Sequence, residues 1–279
     1  MSSTLRPRLH IHTSTRTLSS FPPIPIPTHL RPLPPTTTLL SRQLWTTLHP
    51  STLSIYTHFL PSLLLFILTI FISITINSPA KPILILNLLA ATTTLLLSTT
   101  YHLHEHTPPT TANQFLCYDY TGIILLIVAN YITGLYFGFY SHQDLSWRYI
   151  SLILLLSTFP ITTHLTPRYQ SLEFDNLRVI SLVLTALTAL IPIVHGYGLY
   201  GGEYLWNVGV GWYLFEGAVF ILGVGVYWTR IPERWFPESF WVEVCNSHVV
   251  WHVCVVVGIG VHFMGVISVI QFWFGKEML

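Results

Sequence analysis

Seven apolar stretches, near residues 56–77, 82–101, 120–140, 148–166, 179–200, 206–228 and 248–273, constrain this chain more than any other feature. Each is close to the roughly twenty residues an α-helix needs to cross about 30 Å of hydrocarbon. In lipid the backbone must satisfy its own polar groups, so such stretches are helices unless they close into a barrel. A barrel would show short alternating segments, and the sequence has none. Only 8% of residues are charged while 51% are hydrophobic, and the charges gather between the apolar runs. A soluble domain carries roughly a quarter charged residues and could not cover its surface with so few. The expected fold is an all-α integral membrane protein whose seven transmembrane helices occupy residues 51–279.

Residues 1–50 have a different character, rich in Pro, Ser, Thr and Arg, and the first acid of the chain is Glu105. Pro22, Pro23, Pro25, Pro27, Pro32, Pro34 and Pro35 forbid a continuous helix, which predicts a disordered cytoplasmic tail. Arg6, Arg8 and Arg16 without a nearby acid also fit a mitochondrial transit peptide, the alternative reading. Alternating spans put Arg6, Arg8, Arg16, Arg31, Arg42, Arg168, Arg178, Arg230 and Arg234 on one side, against Lys81, Arg148 and Lys276 on the other. The positive-inside rule then places the N-terminus in the cytoplasm and the C-terminus outside. A net charge of +1 provides no basic face for nucleic acid. Cys117, Cys245 and Cys254 are too scattered for a disulfide framework.

Fourteen histidines are many for so apolar a chain. His10, His12 and His29 fall in the tail and His142 in a short loop. His58, His164, His195 and His262 lie within or at the ends of spans, where polar contacts between helices account for them. Three others converge. His248 and His252, spaced i, i+4, share one face in the first turns of the seventh span. His102 closes the second span, and alternation brings the end of the second and the start of the seventh to one membrane face, whichever way the protein is inserted. Asp119 opens the third span at that level, and Ser98 precedes His102 by one turn on the same face.

Three imidazoles with an open fourth position are the ligand set of a catalytic zinc (Zn2+) site, where water fills the vacancy. Asp119 would orient that water or accept its proton, and Ser98 would hydrogen-bond behind it. Spacing alone leaves three unrelated helix-end histidines as an equal alternative, with a bis-histidine haem site as a further one. The run His102, His104, Glu105 and His106 could also form a local metal loop, although alternate residues share a face only in an extended segment and Pro108 and Pro109 follow. Glu216 is the one acid well inside a span, a functional candidate or half of an interhelical pair. Trp206, Trp212, Trp228, Trp235 and Trp241 read as interface anchors.

At these residues the chain resembles the progestin and adipoQ receptor family, which includes the haemolysin III-related proteins. SIYTHFLPSLLLF from Ser54 is similar to that family's opening-helix motif. LSTTYH (97–102) followed by DYTGIILLI from Asp119 resembles its serine, histidine and aspartate pattern. RIPERWFP (230–237) and SHVVWH (247–252) resemble its last loop and closing histidine pair. The resemblance implies zinc on His102, His248 and His252 with Ser98 and Asp119 nearby, and an N-terminus inside the cell. It also implies either reception of protein or steroid ligands or a site like that of hydrolases acting on ceramide-type lipid amides, with fungal relatives tied to zinc and sterol balance. Ser51 and Ser54 depart from the acid and asparagine of the family's first motif, the Pro/Thr-rich tail replaces its juxtamembrane segment, and the loop after His102 is short.

The expected function is a zinc-containing membrane receptor with a hydrolase-like site, taking a ceramide-type lipid amide laterally from the bilayer and linked to lipid, sterol or zinc homeostasis. The expected partners are a ceramide-like or sterol lipid and an extracellular ligand, and the expected compartment is the plasma membrane or endoplasmic reticulum, ahead of a mitochondrial membrane. The alternatives are a non-enzymatic receptor whose zinc ties the second and seventh spans together, and an alkaline ceramidase outside the family. A zinc transporter fits less well, because one site at one face does not make a pathway.

Overall fold

The computed structural model describes residues 50–237 and 245–275, and among these the regular elements are all helical. In chain order they are α1 (Pro50–Thr75), α2 (Lys81–His104), α3 (Pro109–Gly138), α4 (Gln143–Leu156), α5 (Thr158–Leu165), α6 (Asp175–Leu187), α7 (Leu190–Asn207), α8 (Val210–Thr229) and α9 (Ser247–Phe274). α4 with α5, and α6 with α7, are each broken by a short kink but run as one span. The described residues thus contain seven segments long and apolar enough to cross a membrane. The tail expected over residues 1–50 lies outside the described residues except for Pro50, and Trp241 lies outside them too.

Two boundaries differ most from expectation. α3 starts at Pro109, well before residue 120, because Pro108 is extended and Pro109 is preset for a first helical turn. Asp119 therefore sits about three turns inside α3 rather than at its opening. The fifth and sixth spans divide at Gly209, not before Trp206. Its φ of +82° turns the chain, and a Cβ there would lie 3.1 Å from the Ser268 Cβ. Arg178, counted above with the loop cations, is instead buried in the first turn of α6. Its guanidinium donates to the carbonyls of Tyr169 (2.6 Å) and Ser171 (3.4 Å) and to the Asp175 carboxylate, tying down the connection from α5.

α2 and α9 form the interior of the bundle. In each, 56% of the apolar segment is buried, against 22% for α1 and 17% for α8. Leu64, Ile67, Phe71 and Ile74 stay exposed along one helical face of α1, the surface such a helix turns toward lipid. Between the interior helices and their neighbours, Leu84, Leu88, Phe137, Val266 and Ile270 fill one level and Ala91, Leu95, Leu126, Val255 and Ile259 the next.

Polar pairs fix the antiparallel register of α2 on α3. Asn87 Nδ2 donates to Asn130 Oδ1 (2.9 Å) and Thr94 Oγ1 to the Gly122 carbonyl (2.8 Å). At Gly122 a Cβ would stand 3.1 Å from the Thr94 Cα, so the backbones meet there without one. Asn130 also donates to Glu216 Oε1 (2.6 Å), whose other oxygen accepts from His262 Nδ1 (2.7 Å), so the intramembrane acid is paired across α3, α8 and α9. The same register carries Ser98 opposite Asp119.

Candidate metal centre

α9 begins at an Asn246 cap whose side chain accepts from the Val249 backbone N–H (3.0 Å). The helix then presents His248 and His252 on one face. α2 arrives antiparallel from the other direction and ends with His102 at the same level. The three Nε2 atoms converge: His102 to His252 is 3.2 Å, His248 to His102 is 3.1 Å, and His252 to His248 is 3.1 Å. His102 and His252 are buried and His248 half-buried. The centre of a triangle with these edges lies about 1.8 Å from each nitrogen, short of a zinc–imidazole bond of roughly 2.0–2.1 Å, so the nitrogens suit one face of a tetrahedron. Among the described residues no further His, Cys, Asp or Glu atom joins this cluster.

The tautomers point the same way. His252 Nδ1 faces the Ser54 carbonyl (3.2 Å) and Thr57 Oγ1 (3.3 Å). The Thr57 hydroxyl proton is already given to that carbonyl (2.9 Å), so both oxygens accept and His252 carries its proton on Nδ1. His102 Nδ1 lies 2.9 Å from Glu105 Oε2 and likewise donates. Each ring therefore turns an unprotonated Nε2 toward the other, two lone pairs 3.2 Å apart in an arrangement that suits a shared cation. These three buried histidines could hold a metal ion.

The expected second layer is arranged less simply. Asp119 packs against Ser98 and within electrostatic reach of His102, yet its carboxylate is not among the clustered ligand atoms. The local metal loop does not form. His104 turns back to donate to the Thr100 carbonyl (2.7 Å) and stacks on Phe115, while His106 meets Glu105 Oε1 (3.3 Å) and Ser51 Oγ (3.3 Å). Burial raises the Glu105 pKa, but hydrogen bonds from His102 and His106 outweigh it and hold the carboxyl below the usual range.

Sequence reasoning missed the whole contribution of α1. Besides Ser54 and Thr57, α1 supplies His58, whose ring stacks flat on His252 with centroids 3.7 Å apart and planes 8° apart. His58 is buried, and among the described residues neither of its ring nitrogens has a hydrogen-bond partner. The SIYTH run carried this signal, since Ser54, Thr57 and His58 fall on one helical face.

The chain is 32% identical to the adiponectin receptor protein of Drosophila melanogaster over 152 residues, which is 53% of this chain but 33% of that protein. It thus spans about a third of that relative's length. It is 30% identical to the heptahelical transmembrane protein ADIPOR2 of Oryza sativa subsp. japonica over 179 residues, 64% of this chain and 78% of that one. It is 28% identical to the ADIPOR-like receptor IZH1 of Eremothecium gossypii over 224 residues, 77% of this chain and 70% of that one. The haemolysin-III related family model matches residues 46–263, which takes in all seven spans up to the middle of α9, and the chain belongs to that family.

Proposed function

We propose that this protein is a zinc-containing membrane receptor with a hydrolase-like site acting on a lipid amide of ceramide type. One observation carries the reading: three imidazole nitrogens 3.1–3.2 Å apart with no fourth protein ligand beside them among the described residues. Structural zinc sites close their coordination with four protein ligands, whereas catalytic sites keep one position open. Zinc bound there would supply Lewis acidity toward an amide carbonyl.

The chain's own residues provide the rest. Asp119, held against Ser98 and close to His102, would take a proton from an attacking water. Ser98 orients that carboxylate. Ser54, Thr57 and Glu105 hold two of the three imidazoles in the ligating tautomer. The apolar outer faces of the bundle leave lipid as the natural source of substrate. The names of the similar proteins support a receptor role, and membership of the haemolysin-III related family sets aside an alkaline ceramidase outside it. In the orientation favoured by charge, the centre faces the cytoplasm of the plasma membrane or endoplasmic reticulum.

A non-enzymatic receptor is the second reading, favoured by the burial of His102 and His252 at 2% and 1% exposure, as befits a metal that only ties helices together. Zinc content and ceramide hydrolysis, measured on the same detergent-purified samples of wild type and His248→Ala, separate the two. About one zinc per chain, lost in the variant together with turnover, is the expected result. Zinc lost with no turnover in either sample would leave the second reading, and a wild type without zinc would sink both.

A further inference from the structure

Glu105 is in the wrong place for a helix cap. It follows His104 as the C-cap of α2, at the negative end of the helix dipole, where an anion is unfavourable and a cation is the usual occupant. Its side chain is only 18% exposed, so it has also surrendered much of its hydration. Both penalties fall on a carboxylate whose two oxygens go to imidazoles, Oε2 to His102 Nδ1 at 2.9 Å and Oε1 to His106 Nε2 at 3.3 Å. One of those imidazoles is a ligand of the candidate metal centre.

The other ligand with a defined acceptor, His252, leans on a neutral carbonyl and a hydroxyl. Asp119 lies near His102 but outside the ligand cluster. Three neutral imidazoles leave the charge of a divalent ion uncompensated in a buried place. A carboxylate bonded to the far nitrogen of one ring supplies negative charge through that ring and raises the basicity of its ligating nitrogen. We propose that Glu105 is a positioning residue of the metal centre: it fixes His102 as an Nδ1-protonated, Nε2-ligating imidazole and thereby sets the affinity for the ion. This rests on the metal-binding reading given above, not on the hydrolase reading.

The test is the zinc dissociation constant of the full chain in detergent, from competition with a chelator at fixed pH. The samples are wild type, Glu105→Gln, Glu105→Ala and Glu203→Gln, the last removing an exposed acid from α7. Glutamine keeps the shape and one acceptor but not the charge, so Glu105→Gln should bind about 10- to 100-fold more weakly. Glu105→Ala should lose at least as much, and Glu203→Gln should match wild type. Cobalt(II) in place of zinc should give visible ligand-field bands that shift in Glu105→Gln, while the metal-free variant unfolds at the wild-type temperature. Wild-type affinity in both Glu105 variants would overturn the proposal and leave the metal centre standing. So would a loss of affinity accompanied by an equally destabilised metal-free protein with unshifted cobalt bands. A wild type that binds neither metal would overturn the metal centre itself and this inference with it.

Discussion

Several buried polar side chains in this bundle are paired across helices, and Glu216 shows what that pairing demands. Its carboxylate accepts from Asn130 at 2.6 Å and from His262 at 2.7 Å, and Asn130 in turn accepts from Asn87. Replacing it by leucine strips an acceptor from two buried donors, at about 1–3 kcal/mol for each left unmade. Glu216→Gln keeps one oxygen and should lose distinctly less. Melting temperatures in detergent give the comparison, and a leucine variant as stable as wild type would contradict the pairing as a structural element. At this scale the sequence was legible where chemistry and spacing coincide. His248 and His252 could be read from their four-residue interval, and His102 from span parity. The Ser54 carbonyl could not, because every residue carries one and only packing chooses which is used. Glu105 was visible as an acid among histidines, but not which histidine it would hold.

Helices meet most closely where a side chain is missing. At Gly223 in α8 an added Cβ would stand 2.7 Å from the Cys254 Cβ and 2.8 Å from the Trp251 ring on α9. The first of these atoms cannot move without the backbone, so Gly223→Ala should push α8 away from α9 and destabilise by about 1–3 kcal/mol. Trp251 precedes His252, so zinc affinity should fall as well. Thermal unfolding and metal content of the variant report both effects, and wild-type values for both would show that α9 tolerates the displacement. Helix existence was easy to read from hydropathy because lipid enforces it. Boundaries were harder, since hydropathy registers lipid contact and not helicity. The polar first turns of α3, from Pro109, are helical outside any apolar run, which is how Asp119 came to lie within a helix. The turn at Gly209 depends on one backbone dihedral and leaves no mark in composition.

For the molecule as a whole, the histidine-bearing helices α2 and α9 are the interior ones and apolar faces of the others point outward. By span parity the end of α2 and Cys245 fall at one membrane face, and Cys245 is exposed. With the cytoplasmic N-terminus that charge favours, a membrane-impermeant maleimide should label Cys245 in permeabilised cells and inside-out vesicles, and not in intact cells. Labelling of intact cells, abolished by Cys245→Ser, would invert the topology while leaving the metal centre unchanged, because span parity is indifferent to orientation.

His252 on the seventh span takes its acceptors and its stacking partner from the first. During synthesis α1 enters the bilayer with the Ser54 carbonyl, Thr57 and His58 facing an absent neighbour, and the ligand set stays incomplete until α9 docks beside it. On the metal-binding reading, capture of the ion would then be a late event in assembly, a latch that shuts only once the first and seventh spans have met. Withdrawing the ion should loosen the seam between the first and seventh spans before any other part of the bundle gives way.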